Sequence, residues 1–150
     1  MTKLKFAKPI KKIKVKKRIA RVRKTPLSRL HTKAKTAFNH WIRERDCRDS
    51  VGGDWGNCYT CDKNLLFGDM EAGHYIPGTQ ISPVRFLPMN VHGQCTRCNK
   101  FLHGNYGVYA VRLLRDYGQQ ELEYLETFRS AHKKWTREEL EDIIKTYTNE

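Results

Sequence analysis

The chain has 150 residues, which is enough for one domain with a short appendage, and 39% of them are hydrophobic, so only a small core can form. It contains no run of about eighteen apolar residues, and its basic first residues are not followed by an apolar stretch. These features argue against a membrane-spanning segment, a secretory signal and a membrane partner, and they predict a cytoplasmic protein.

Positive charge is concentrated at the start of the chain. The formal net charge is +13, yet residues 1–35 contain fifteen Lys or Arg and no acid, whereas the remaining 115 residues contain fourteen basic and sixteen acidic side chains, a net of −2. Such a segment predicts a polyanionic partner, because each phosphate it neutralises releases counterions. A solubilising or targeting tail, or a surface for anionic lipid, stays open as an alternative.

Residues 1–24 alternate basic residues with single apolar ones. Because they contain too few apolar groups to bury, we expect them to be disordered and to order on DNA. The residues predicted to bind DNA are Lys11, Lys12, Lys14, Lys16, Lys17, Arg18, Arg21 and Arg23, together with Arg85 farther along the chain.

A helix is predicted from Thr25 to about Asp46, with Thr25 as N-cap and Pro26 as the first helical residue. Apolar residues at helical spacing predict a face that packs on the rest of the domain. They are Leu27, Leu30, Ala34, Ala37 or Phe38, Trp41 and Ile42. The basic residues of the segment fall largely off this stripe and are expected to face outward; they are Arg29, Lys33, Lys35 and Arg43.

Two Cys-x-x-Cys pairs follow, Cys58/Cys61 and Cys95/Cys98, with thirty-three residues between them. Four thiolates from two such turns can close a tetrahedron around a structural zinc ion. Disulfides or redox cysteines are the alternative, but the lack of a secretory signal favours metal. Cys47 lies apart from both pairs and is predicted to be a free thiol in a reducing cytosol.

Short strands are predicted at Leu65–Phe67 and within residues 69–77, and a helix is expected to start near Cys98. Apolar spacing then predicts a helix that ends at Gly118. Its stripe is Val108, Val111, Leu114 and Tyr117, with Arg112 and Asp116 on the solvent side.

Two more helices are predicted near the C-terminus. The first is marked by Leu122, Leu125 and Phe128, and the second follows a capping box formed by Thr136 and Glu139. We therefore divide the chain into a basic tail (1–24), a zinc-stapled domain with its N-terminal helix (25–118) and a helical extension (119–150).

Four polar residues beside the cysteine pairs have the types and spacing of a hydrolytic site: His74, Asn90, Asn99 and His103. Asn99 and His103 are expected to share a helical face opposite His74, which could take a proton from water while a divalent ion neutralises charge on a phosphate. Taken singly, each has a simpler explanation, such as a surface histidine or a helix cap.

The linked motifs resemble the HNH, or His-Me finger, endonucleases in their zinc-bound form. More closely, residues 27–118 resemble the phage NinG family, also called Rap, of recombination nucleases. The motifs that carry the resemblance are Ile42-Arg43-x-Arg45-Asp46, Cys58-x-Thr60-Cys61, Ala72-Gly73-His74, Arg85-Phe86-x-Pro88-x-Asn90 and Gln94-Cys95-x-x-Cys98-Asn99.

The resemblance implies an α+β fold, a zinc-bound ββα-metal module with flanking α-helices. It implies cleavage of branched DNA such as Holliday junctions or D-loops. His74 would be the general base, Asn90 would orient its imidazole, and Asn99 would bind catalytic magnesium or manganese. Many HNH sequences have Asp or His where this chain has Gly73. Another group must then complete the metal site, with His103, Asp69 and Glu71 as candidates in that order.

Two symmetric cuts at a junction would suit a homodimer. Phage or host recombination proteins are further expected partners, and the location is the host cytoplasm if a phage encodes the chain. The main alternative is a non-enzymatic zinc module that binds nucleic acid; a basic adaptor for protein partners is the third.

Overall fold

The computed structural model describes residues 25–48 and 53–149. Four helices and four short strands make up its regular structure: α1 (Leu27–Cys47), β1 (Trp55–Asn57), β2 (Asn64–Leu66), β3 (Glu71–His74), β4 (Val91–Gln94), α2 (Tyr106–Tyr117), α3 (Gln119–Glu126) and α4 (Arg137–Asn149). Short 3-10 turns precede β3 and β4, and a five-residue π-helix, Arg97–Phe101, follows β4.

The strands form two antiparallel pairs. In the first pair Trp55 lies opposite Leu66, and in the second His74 lies opposite Val91. The pairing of β3 with β4 brings together two segments that are separated by the loop of residues 75–90. Mixed helices and small sheets confirm the predicted α+β class.

Helix α1 buries most of the predicted apolar stripe, but Leu27 at its start is 43% exposed. Its buried residues include Leu30, Ala34, Phe38 and Ile42, which pack in one cluster with Leu140 of α4. The prediction for its first turn is off by one residue. Pro26 has an extended backbone (ψ 144°), which makes it the N-cap and Leu27 the first helical residue.

Helix α4 begins with the predicted capping box. The backbone N–H of Thr136 donates to Oε2 of Glu139 at 2.9 Å, and the N–H of Glu139 donates to Oγ1 of Thr136 at 3.2 Å. These bonds satisfy donors that the first helical turn leaves free. With its start fixed in this way, α4 packs along α1 and completes the core on that side.

The predicted apolar face of α2 is wrong. Val108 is 40% exposed and Val111 is 65% exposed, whereas the helix buries Tyr109 and Leu113. These two residues lie one turn apart and pack in a cluster with α3 and the loop after β3. The hydroxyl of Tyr109 also donates to the carbonyl of Gly73, so the helix is rotated to bring this large amphipathic ring inward. As a result Arg112 is not solvent-facing but pairs with Asp62.

Two further points concern membrane-spanning helices and the basic tail. No helix in residues 25–48 or 53–149 is both long and apolar enough to cross a bilayer. The predicted disorder of the basic tail falls on residues 1–24, which lie outside the described residues.

Candidate functional site

Two turns bring the paired cysteines to one point. Cys58 and Cys61 lie between β1 and β2, Cys95 follows β4, and Cys98 lies in the π-helix. The four Sγ atoms all lie within 4.8 Å of one another, and those of Cys61 and Cys95 are 3.8 Å apart. Tetrahedral zinc with Zn–S bonds of about 2.3 Å separates its sulfurs by about 3.8 Å, so this spacing fits the metal. We call these four cysteines the zinc clasp.

The surroundings of the clasp favour the thiolate at Cys58, whereas burial raises the pKa values of Cys61 and Cys95. Burial raises the pKa of the Cys58 thiol, but backbone hydrogen bonds from Cys95, Thr60 and Cys61 outweigh it and bring that pKa to about 6. None of the five cysteines, all of which lie within the described residues, forms a disulfide bond. Among the described residues, the clasp is the one group of three or more His, Cys, Asp or Glu side chains close enough to share an ion. The four cysteines could therefore hold a metal such as zinc.

Beside the clasp, an open groove of about 500 Å³ contains His74, and we call it the His74 groove. One wall is the polar side of α1, and the other comprises β3 with the residues next to it and the π-helix. The lining residues are Lys35, Thr36, Asn39 and Arg43 on the first wall and Met70, Glu71, Ala72, His74, Gly78 and Asn99 on the second.

The imidazole of His74 is half-buried at the last position of β3. Its Nε2 lies 3.0 Å from the carbonyl oxygen of Arg85. Because a carbonyl oxygen only accepts hydrogen bonds, Nε2 carries the proton in this contact and Nδ1 keeps its lone pair. Burial lowers the pKa of His74 to about 4, and the positive charges of Arg85 and Lys35 also lower it. The ring is thus neutral at neutral pH, with Nδ1 as its basic atom.

Asn90 is fully buried and holds the loop that supplies this carbonyl. Its Oδ1 accepts from the N–H of Ile76 at 2.7 Å, and its Nδ2 donates to the carbonyls of Ile76 and Val84 at 2.9 and 3.1 Å. Val84 directly precedes Arg85, whose carbonyl accepts from His74. Asn90 therefore reaches the imidazole only through the backbone of the loop.

Arg85 is 7% exposed, and burial lowers its pKa. Its guanidinium lies 5.3 Å from the ring centroid of Phe86, and within the described residues it has no carboxylate partner. A buried cation without an anion is costly.

Asn99 of the π-helix reaches Glu71 of β3. Its Nδ2 donates to Oε2 of Glu71 at 2.7 Å, while Nζ of Lys100 lies 2.6 Å from Oε1 of the same carboxylate. Burial raises the pKa of Glu71, but the hydrogen bonds from Lys100, Asn99 and Thr96 outweigh it and lower that pKa overall. Glu71 is thus ionised beside the groove and offers oxygen atoms of the kind that magnesium prefers.

The sequence was compared with known proteins. The model of a family described as the bacteriophage lambda NinG protein matches residues 2–150. The chain belongs to the NinG family. It is 34% identical to the protein ninG of Escherichia phage 933W over 134 residues, which is 89% of this chain and 62% of that protein. It is also 35% identical to ninG of Escherichia phage lambda and 34% identical to ninG of Salmonella phage P22, each over 114 residues, or 76% of this chain and 52% of theirs.

This member of the NinG family thus spans only 52–62% of the length of those relatives. No solved structure matches the chain.

Two expectations about this NinG-family site need comment. The π-helix ends at Phe101, and His103 has a left-handed backbone (φ 49°) and does not line the His74 groove, so it does not share a helical face with Asn99 as expected. At position 73, a Cβ atom would collide with the carboxamide of Gln94. The hairpin therefore leaves no room for the acid or histidine that many HNH sequences carry there.

The structure also adds a wall that the sequence did not assign to the site. Lys35, Asn39 and Arg43 lie four residues apart on α1 and line the groove, although the basic residues of this segment were expected to face away from the domain. Oδ1 of Asn39 is buried and has no hydrogen-bond partner among the described residues. The i, i+4, i+8 spacing of these polar residues was the signal that could have found the wall. The predicted DNA-binding residues of the tail lie outside the described residues.

Proposed function

We propose that this protein is a metal-dependent endonuclease that cleaves branched recombination intermediates in DNA, such as Holliday junctions and D-loops. The observation that carries the proposal is the His74 groove. There a histidine that is neutral at neutral pH lines an open groove together with two cations of α1, Lys35 and Arg43. The order of two strands and a short helix around a cysteine clasp further supports a zinc-bound ββα-metal module.

The reaction we propose is hydrolysis of a phosphodiester. Nδ1 of His74 takes a proton from a water molecule as the water oxygen bonds to phosphorus and the bond from phosphorus to the 3′ oxygen breaks. The hydrogen bond from Nε2 to the carbonyl of Arg85 fixes the ring so that Nδ1 stays available. Asn90 acts as a positioning residue, because it holds the loop that supplies this carbonyl.

The scissile phosphate would lie against the cations of the groove. Arg43, which lines the groove from α1, offers planar guanidinium donors that suit a phosphate. Lys35 lies close enough to influence the pKa of His74 and would neutralise a second phosphate oxygen.

A catalytic divalent ion would be held by oxygens of Glu71 and Asn99, since these two side chains meet at the groove. Magnesium or manganese would supply charge neutralisation at the phosphate and the departing oxygen. Glu71 replaces His103 as our preferred additional ligand, because His103 does not line the groove. For the ion to bind, Lys100 would have to release the carboxylate that it now contacts.

The test uses labelled four-way junction, duplex and single-stranded DNA, with and without magnesium. The parent protein should cut the junction only when magnesium is present. His74→Ala should cut about 10² to 10⁴ times more slowly, the usual range for a general base. His132→Ala is the matched control, because His132 is exposed and does not line the groove. Equal cutting by the parent and His74→Ala would refute the assignment of the base.

A non-enzymatic zinc module that binds nucleic acid is the second candidate. It is favoured by the finding that no second group of three His, Cys, Asp or Glu side chains exists among the described residues. It predicts junction binding without cleavage at any magnesium or manganese concentration. Under either function we propose that residues 1–24 capture DNA phosphates. Deleting them should weaken junction and duplex binding alike. The slope of log K against log salt concentration should become shallower by about 0.9 for each phosphate contact that is lost.

A further inference from the structure

One aromatic ring next to the His74 groove is unusually exposed. Phe101 is 75% exposed, more than any other large hydrophobic residue that the structure describes. It ends the same π-helix that carries Asn99 into the groove, and the adjoining Leu102 is 43% exposed. Water-exposed apolar surface of this size is a common mark of a binding surface.

The π-helix that carries Phe101 is anchored at two points. The π-helix is tied down at Cys98, which belongs to the zinc clasp, and by the N–H of Leu102 donating to the carbonyl of Arg97 at 2.9 Å. Immediately after it, three residues with positive φ reverse the chain: His103, Gly104 and Asn105. Phe101 thus stands at the tip of a tight, anchored turn.

The charge around the tip is positive. Arg97 and Lys100 are exposed on the same turn, and Arg97 has no ion-pair partner within the described residues. The charge of Lys100 is offset by Glu71, which its Nζ contacts at 2.6 Å, so Arg97 supplies the net positive charge at the tip. An apolar tip within a cationic surface matches a nucleic acid, which presents base faces between phosphates.

We propose that Phe101, supported by Leu102, is a wedge that stacks on an unstacked base at the branch point and so makes the protein prefer branched over plain duplex DNA. Apolar side chains inserted at base steps act in this way in proteins that kink DNA. A continuous duplex offers no open base face at low cost, whereas a branch point does. The proposal rests on the proposed DNA substrate, but it concerns binding rather than cleavage.

A second copy of this chain is the competing occupant. Phe101 and Val111 are the two most exposed large hydrophobics and could both belong to a self-association surface. In a two-fold interface the same patch meets itself, which would bring Arg97 and Lys100 near their own copies. This contact between like charges would be unfavourable in a dimer. In a DNA complex, phosphates would instead neutralise the same charges.

The experiment measures binding of the full chain, with its zinc, in buffer without magnesium. A four-way junction and a duplex of the same base composition carry 2-aminopurine, at the branch in the first and at a central position in the second. The variants are Phe101→Ala and Phe101→Trp. Tyr124→Ala is the matched control, because Tyr124 is an exposed aromatic on α3.

We expect Phe101→Ala to weaken junction binding about 5- to 150-fold, the range for one stacked base, and to change duplex binding by less than about twofold. The 2-aminopurine signal should respond to the parent and to Phe101→Trp but not to Phe101→Ala. Tyr124→Ala should behave as the parent does.

Three results would overturn the wedge: unchanged junction preference in Phe101→Ala, an equal loss on junction and duplex, or a parent that does not distinguish the two. Sedimentation that shows a parent dimer and a Phe101→Ala monomer would assign the surface to a second copy. A parent that prefers the junction but never cuts it with magnesium would refute the nuclease proposal and leave the wedge intact.

Discussion

Each face of the β3–β4 hairpin carries one histidine, His74 on β3 and His92 on β4. Burial lowers the pKa of both rings to about 4, but the surroundings of the two rings differ. On β4, Nδ1 and Nε2 of His92 each lie 3.0 Å from a tyrosine hydroxyl, those of Tyr109 and Tyr117, and the ring stacks on Tyr59 at 3.8 Å. On β3, the Nε2 of His74 donates to the carbonyl of Arg85, and the ring lines the open His74 groove.

The difference teaches that a lowered histidine pKa does not by itself mark a catalytic residue. The hydroxyl of Tyr109 donates to the carbonyl of Gly73, so its oxygen accepts from Nδ1–H of His92, and Nε2 then accepts from Tyr117. Both ring nitrogens of His92 are therefore used, and the residue stabilises the fold. His74 has no tyrosine partner, and its ring lines the His74 groove.

The largest expected effect is loss of the fold that carries both histidines. Cys95→Ser should yield a poorly folded protein that loses zinc, because the metal contributes about 10–16 kcal/mol in comparable small domains. Metal content and circular dichroism measure the outcome. Cys47→Ala is the control, since Cys47 is buried outside the clasp and should leave zinc bound. A well-folded, reduced protein without zinc would contradict the clasp.

The next experiment distinguishes the role of His92 from that of His74. His92→Ala should lower the free energy of unfolding by about 2–4 kcal/mol, because it leaves a cavity and unpaired hydroxyls, yet should cleave at nearly the parental rate when folded. His74→Ala should show the reverse, with a stability change of about 1 kcal/mol or less and a large loss of cleavage. Denaturant titrations would measure the stability of each variant, and cleavage assays would measure its rate. Equal stability losses would remove the distinction.

A smaller effect concerns pH and stability. In the unfolded chain His92 titrates near pH 6.5, whereas in the folded protein its pKa is about 4. The unfolded state therefore binds the proton first as pH falls, so the contribution of His92 is complete above about pH 6.5 and decreases toward pH 4. Between pH 7 and pH 5 this should cost about 2 kcal/mol. His74, whose pKa is lowered to the same value, should add a similar loss, so denaturant titration in excess zinc should show that His92→Phe removes only the share of His92.

The smallest effect is expected in the pH dependence of the proposed cleavage. Because the pKa of His74 is about 4, the base stays neutral through the physiological range. Protonation of His74 should then change the single-turnover rate by less than about twofold between pH 7.5 and pH 6. An inflection near pH 6.5 that His74→Ala abolishes would show that the imidazole is less shielded than the structure indicates.

Local patterns in the sequence predicted the elements that depend on nearby residues. The apolar stripe of α1 and the capping box at Thr136 are both found, since each is decided within one or two helical turns. The rotation of α2 was missed, because a row of aliphatic residues outweighed Tyr109, whose partners lie on β3 and β4.

The same limit applies to the site. The cysteine pairs were found because their spacing alone encodes the clasp. The α1 wall and the unpaired guanidinium of Arg85 were not foreseen, since both depend on how α1 and the loop of residues 75–90 meet in space. The glycine at position 73 looked like a missing ligand, and only the position of Gln94 explains it.

The clasp also has a topological consequence. The metal it is built for would close a ring of chain running from Cys61 to Cys95, and His74, Arg85 and Asn90 all lie within that ring. A single peptide-bond break near the exposed Ile81 would therefore leave two fragments joined through one ion, in addition to the bonds between Asn90 and Ile76, the β3–β4 pairing and the core shared by α1 and α4. Such a nicked protein should migrate as one species until a chelator is added, and as two afterwards.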